Sequence, residues 1–275
     1  MNNKLLISGV LGLGTCMIYT PIHAGEAQAQ SKPNVLIIYT DDMGAGDVSF
    51  LNNGWVKTPN IEKLASGGLI VTNYYSSSPV SSPSRVGLTT GRFPTEMGIN
   101  CYLQTRKGNA ACEQFDYLDA SVPTMAKVMK SAGYTTGHFG KWHMGGGRDV
   151  IDAPQITEYG FDEYISTWES PNPDPVITDS AWIWSRTDQV KRWDRTAYFV
   201  DKTLDFLKRH KGEPCFVNLW PDDMHTPWVP SQKTMDSERT SWTTPPNFKE
   251  VLTEYDKQIG RLMEGLTKLG LEKNT

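Results

Sequence analysis

Two hydrophobic periods take turns along the chain. Residues 35–39 form a continuous apolar run ending on two acids, the pattern of a strand buried on both faces. Thr58 and Pro59 then open a helix, and Gly67-Gly68 closes it. Residues 69–75 read as a second strand, and Ser82-Pro83 starts a helix that ends near Gly91. Residues 124–132 read as a helix closed by Gly133, and residues 134–139 as the next strand. Residues 193–210 are amphipathic, with Tyr198, Phe199, Leu204, Phe206 and Leu207 mostly on one side. Residues 214–220 predict a strand. Residues 248–269 predict a long helix, with Leu252, Tyr255, Ile259, Leu262, Leu266 and Leu269 at helical spacing. Such alternation implies an α/β fold in which helices cover both faces of a mainly parallel sheet. Residues 93–121 and 144–192 carry little periodicity. The second holds Glu169-Ser170-Pro171-Asn172-Pro173-Asp174-Pro175 and the pair Trp182 and Trp184. Their aromatic content favours ordered loops over a cleft.

The first residues follow a different rule. Residues 1–4 are basic, residues 5–18 are apolar, and small residues follow, with cleavage points after Ala24 or Ala29. That is the layout of a secretory signal peptide over residues 1–29, leaving residues 32–275 as the folded part. The apolar run is short of the roughly 20 residues a membrane span needs, and no later run is long enough. The chain is therefore expected to be exported, periplasmic or secreted. Cys16 offers a lipoprotein acylation site as an alternative, although Thr15 before it fits poorly. Cys101 and Cys112 flank a polar loop and suit a disulfide in an oxidising compartment. Cys215 lies in a strand pattern and reads as a small buried residue. No C-x-x-C pair is present, which argues against structural zinc. A net charge of −4 gives no reason to expect nucleic-acid binding. Nine tryptophans and eleven tyrosines hint at a glycan ligand.

Candidate chemistry gathers where strands end, the place where parallel sheets bind ligands. Asp41-Asp42 follows the first strand, and paired carboxylates there suit a hard cation such as calcium or magnesium. Lys141 and His143 follow residues 134–139, flanking Trp142, with a cation and a proton carrier on one side. His225 follows residues 214–220. Ser81 stands just before a helix N-terminus, where backbone N–H groups favour an anion, and Arg85 lies one turn further in. On local spacing alone, Ser81 reads equally as a loop residue with Ser82 and Ser84 as caps. His138 and His210 read as structural.

Ser81-Ser82-Pro83-Ser84-Arg85, with Leu88 and Thr90-Gly91-Arg92, resembles the sulfatase signature C/S-x-P-S-R followed by T-G-R. Residues 33–38 with Asp41-Asp42-Met43-Gly44 resemble that family's opening strand and metal-binding acids. Thr58-Pro59-Asn60-Ile61, Gly133-Tyr134-Thr135-Thr136, Gly140-Lys141-Trp142-His143-Met144-Gly145 and His225-Thr226-Pro227 follow in the family's order.

The resemblance implies an alkaline-phosphatase-like fold and a sulfuric ester hydrolase. It implies that Ser81 is oxidised to formylglycine by a maturase, of the anaerobic-type radical class in bacteria because the residue is serine. One hydroxyl of the hydrated aldehyde would attack sulfur; the other would expel sulfate. Asp41, Asp42 and residue 81 would bind calcium. Arg85 would hold the diol, Lys141 and His143 would contact it and the sulfate, with His143 a candidate base for the elimination, and His225 would bind the sulfate and is a candidate to protonate the leaving oxygen. A sulfated glycan is the implied substrate. In the family a helix like residues 248–269 leads to a strand that completes the metal site, then to a smaller subdomain. The chain is thus expected to be an incomplete sulfatase domain. Two other readings remain open: a metal-assisted phosphoesterase using Ser81 directly, and an inactive glycan-binding remnant.

Overall fold

The computed structural model describes residues 32–178 and 184–275. The signal-peptide reading, Cys16 and Trp182 lie outside them. The described residues hold four strands: β1 (Val35–Ile38), β2 (Thr135–Gly140), β3 (Glu163–Ser166) and β4 (Cys215–Trp220). They pair in the order β1-β4-β2-β3, all parallel. Seven α-helices accompany them: α1 (Pro59–Ser66), α2 (Ser81–Thr90), α3 (Arg106–Ala111), α4 (Met125–Ser131), α5 (Arg195–Arg209), α6 (Gln232–Asp236) and α7 (Pro245–Leu269).

β4 is central, and every one of its residues is buried. Its alternate side chains feed two cores. Phe216 and Trp220 join Val86 of α2, Ala126 of α4, Trp142, Tyr159 and Phe161 on one face. Cys215, Val217 and Leu219 join Phe199 and Phe206 of α5 and Leu262 and Leu266 of α7 on the other. Burying each of these large side chains stabilises the fold by about 1.5–3 kcal/mol. The helix-covered parallel sheet is the α/β architecture expected. Among the described residues, no helix is long and apolar enough to cross a membrane.

Two expectations are corrected. Residues 69–75 do not form a strand. They run as irregular chain, with Leu69 87% and Tyr75 83% exposed. Apolar, β-prone residues make a strand only where a neighbour completes the ladder, and no described strand lies beside them to do so. Conversely β3 was hidden within residues 144–192. It is four residues long, half-buried for most of its length, and sits at the sheet's edge.

Candidate active site

β4 sets the geometry of the rim. The Asp41 N–H donates to the Pro221 carbonyl at 3.1 Å, and the Lys141 N–H to the Trp220 carbonyl at 2.9 Å. The chain segments leaving β1 and β2 are thus tied to either side of the end of β4. Their side chains meet: Lys141 Nζ donates to Asp41 Oδ2 at 2.8 Å. Gly140 makes this approach possible. It sits at φ 132°, and a Cβ there would lie 2.0 Å from the Trp220 carbonyl oxygen.

Ser81 is the first residue of α2, not a residue outside it as the sequence suggested. Its hydroxyl donates to Asp41 Oδ1 at 3.0 Å. Arg85 lies one turn on, on the same face. Its Nη1 donates to Ser81 Oγ at 3.2 Å and to Asp41 Oδ1 at 3.4 Å. The guanidinium is held between the rings of Tyr39 and Trp220, 5.8 and 5.7 Å from their centroids. Its Nε reaches the Lys141 carbonyl, while Nη2 is buried with no hydrogen-bond partner. Burial pushes the Asp41 carboxyl up, but Lys141, then Arg85 and His225, outweigh it and hold it far below the usual carboxylate range.

Glu169, just beyond β3, is the residue the sequence left without a role. It is 5% exposed, and its carboxylate faces Lys141 Nζ at 3.7 Å, His143 Nδ1 at 3.2 Å and Arg148 Nη2 at 3.2 Å. Its carbonyl accepts from the His143 N–H at 2.9 Å. The end of β3 therefore joins the rim as the ends of β1, β2 and β4 do. Recognising that strand would have pointed to its first carboxylate. Burial again pushes Glu169 up, and His143, Lys141 and Arg148 together bring it down. Three cations face two carboxylates across this buried set, leaving one excess positive charge for an anion.

His143 adopts φ 48°, in the left-handed region. Its Nε2 lies 3.1 Å from the Leu103 carbonyl. A carbonyl only accepts, so the ring proton sits on Nε2, and Nδ1 keeps a lone pair without a hydrogen bond. Burial lowers the ring's pKa to about 4, so it is neutral at pH 7.

A family model described as Sulfatase matches residues 33–275. The chain belongs to the sulfatase family. It is similar to an N-acetylgalactosamine-6-O-sulfatase of Bacteroides thetaiotaomicron, at 27% identity covering 98% of this chain and 62% of that protein. The human N-acetylgalactosamine-6-sulfatase is 28% identical, covering 91% of this chain and 50% of its own length. A solved structure from a study of glycosaminoglycan metabolism by Bacteroides thetaiotaomicron superposes with a TM-score of 0.71 at 26% identity, covering 89% of this chain and 61% of that one. The sulfatase chain thus spans between half and just under two thirds of the length of these relatives.

Within this chain, Asp41, Ser81, Arg85, Lys141 and His143 come together around the ends of β1 and β2. Asp42 and His225 stand apart on the open rim, paired at 3.8 Å between Asp42 Oδ2 and His225 Nε2. His225 Nδ1 is 2.6 Å from the Thr226 carbonyl and so carries a proton. Below them, Arg192 ties the loop down, donating to the Asp222 carbonyl at 2.6 Å and the His225 carbonyl at 2.9 Å. A cleft of about 480 Å³ opens beside Ser81, lined by Asp41, Asp42, Arg85, Ile70 and Tyr74 among others.

The oxygens of Asp41, Asp42 and Ser81 have the donor chemistry of a hard cation. They fall short of a full site. Among the described residues no group of three or more His, Cys, Asp or Glu is placed to hold a metal ion, and calcium takes roughly six to eight oxygens. Asp41 moreover already has Lys141 and Arg85 as counter-charges. His138 is structural, stacked edge-on against Trp142 and Trp220, and burial lowers it to about 3. His210 pairs with Glu163 and Glu213 at the far end of α5.

Proposed function

We propose that this chain is the nucleophile-bearing portion of a sulfuric ester hydrolase that acts on sulfated carbohydrate, with Ser81 matured to formylglycine. The observation that carries the reading is the Ser81 hydroxyl, 3.0 Å from Asp41 Oδ1 and 3.2 Å from Arg85 Nη1 at the start of a helix. The hydrated aldehyde at residue 81 supplies one oxygen for attack on sulfur and a second for release of sulfate.

The chain's own residues supply the rest. Asp41 remains ionised and accepts a hydrogen bond from the attacking oxygen, which orients it. Arg85 fixes that oxygen with Nη1 and has Nη2 free to bond sulfate. Lys141 adds positive charge against the anion. His143 offers the Nδ1 lone pair as a base. On the rim, His225 in its imidazolium form, with Nδ1–H held by the Thr226 carbonyl, gives its Nε2 proton to the departing sugar oxygen and is left neutral. Asp41, Asp42 and residue 81 would supply oxygen ligands to a calcium ion, whose chemistry would be added positive charge, with the remaining ligands coming from outside this set.

The names of the similar proteins favour a 6-sulfated N-acetylgalactosamine unit as substrate. The N-terminal pattern supports export, and the serine at position 81 supports a radical-type maturase as partner. The test is co-expression with such a maturase and mass spectrometry of the residue-81 peptide. Formylglycine makes it about two mass units lighter than the serine form. Recovery of unmodified serine beside a modified control peptide, or sulfate-ester hydrolysis by the Ser81→Ala chain, overturns the reading. Phosphate-ester turnover by the unmodified chain would replace it with the phosphoesterase.

A further inference from the structure

Cys101 and Cys112 belong to two segments that are sewn side by side. Gln114 Oε1 accepts from the Asn100 N–H at 3.0 Å and the Cys101 N–H at 2.7 Å, and its Nε2 donates to the Tyr102 carbonyl at 3.2 Å. Asn100 Nδ2 donates to the Glu113 carbonyl at 3.0 Å, and the Phe115 N–H to the Gly98 carbonyl at 2.9 Å. Gln104 closes the other side: its N–H donates to Asn109 Oδ1 at 2.8 Å, and its Nε2 lies 3.7 Å from Cys112 Sγ. The result is two half-buried cysteines carried on segments bonded to each other along their length.

Between them lies Leu103, 3% exposed. Its N–H donates to Ser82 Oγ at 2.9 Å. Its carbonyl accepts from His143 Nε2 at 3.1 Å and Arg148 Nη1 at 2.9 Å. One backbone unit therefore supports both the residue next to Ser81 and the histidine after β2.

We propose that Cys101 and Cys112 close into a disulfide, and that this staple holds Leu103 against Ser82 and His143. The two thiols lose two protons and two electrons as the S–S bond forms. A disulfide oxidant accepts the electrons through a mixed disulfide and leaves as two thiols. Burial, and then Cys101, raise the Cys112 thiol, so closure quickens as pH rises toward the thiol range. Cys215 takes no part: it is 1% exposed within β4, with its Sγ near the His210 and Glu213 carbonyls. The inference rests on the geometry of the loop and not on the reaction assigned to Ser81.

The experiment equilibrates the purified chain with graded mixtures of oxidised and reduced glutathione, then traps remaining thiols by alkylation. Intact mass and a tryptic map read the outcome, since trypsin cuts after Arg106 and Lys107, between the two cysteines. The expected product is a Cys101–Cys112 cross-linked peptide pair with Cys215 alkylated. Hydrogen exchange then compares the Leu103 amide in the oxidised and reduced chains, with roughly tenfold slower exchange expected on oxidation. Cys101→Ser and Cys112→Ser each abolish the cross-link and the difference at Leu103. Separate glutathione adducts on both cysteines, or free thiols throughout, overturn the disulfide. A closed disulfide with unchanged exchange at Leu103 overturns the staple.

Discussion

Replacing Asp222 by asparagine removes a charge from a side chain 1% exposed while keeping its shape. Oδ2 accepts from Arg192 Nη1 at 2.7 Å and from Arg195 Nη1 at 2.8 Å, so one carboxylate serves two buried guanidiniums. Neutralising one partner of a buried pair costs about 3–5 kcal/mol, because the other charge stays buried without its counter-charge. Sharing pushes the cost up. Asp188, 3.6 Å from Arg195 Nη2, brings it back down. The expected loss is about 4 kcal/mol, or roughly 8 °C in Tm for a domain of this size.

Urea unfolding followed by tryptophan fluorescence measures it directly, with wild type and Asp222→Asn compared at equal m-value. The pH dependence has a definite sign. Burial raises the Asp222 carboxyl, but Arg192 and Arg195 outweigh it and bring it down to about 2, below the ordinary 3.8. The group's contribution is therefore complete above the unfolded pKa and fades as pH falls toward about 2. The two chains should converge in stability below about pH 4. A difference under about 1 kcal/mol at pH 7 refutes the buried-charge reasoning, as does one that persists undiminished in acid.

Further outcomes follow from the same geometry. Lys141→Met leaves Asp41 with Arg85 alone, so the thermal stabilisation that millimolar sulfate gives over chloride at equal ionic strength should vanish. Burial pushes Asp223 up to about 6, so the folded chain binds its proton more tightly than the unfolded one. Stability from this group is present below the unfolded pKa near 3.8 and is lost as pH rises through about 6; urea midpoints of Asp223→Asn should lack that decline. Gly140→Ala forces a Cβ to 2.0 Å from the Trp220 carbonyl, and the expected cost above about 4 kcal/mol shows as loss of soluble, cooperatively unfolding chain.

Much of this architecture was legible because burial writes itself into apolar runs. β4 is buried between helices, and β1, though a half-buried edge strand, packs against the apolar clusters on both faces, so their sequences carry few polar interruptions, and α7 shows its heptad-like stripe from Leu252 to Leu266. β3 escaped notice because an edge strand of four residues, Glu163-Tyr164-Ile165-Ser166, needs apolar character on only part of its surface. Residues 69–75 misled for the opposite reason: side-chain pattern describes a strand's surface, and pairing supplies its backbone bonds. Asp41 and Lys141 could be placed at strand ends from sequence. Their contact could not, since it depends on both backbones bonding to consecutive carbonyls at the end of β4. Glu169 was invisible as a partner because its strand was, and because Lys141, His143 and Arg148, which face it, lie 21 to 28 residues away in the chain.

The strand order carries a consequence for how the chain comes to be folded. β4 is the last of the four to be synthesised, yet it lies between β1 and β2, which do not touch each other. The bond from the Cys215 N–H to Asn34 Oδ1 spans 181 positions. At roughly 5–20 residues per second, β1 waits on the order of ten seconds or more on the ribosome before its neighbour exists. Helices can form in that interval and β2 can pair with β3, but β1 has no strand to join until β4 exists. Closure of this one long loop, and not local structure, should then limit the folding rate. In the meantime an apolar segment must stay shielded by something other than its own fold.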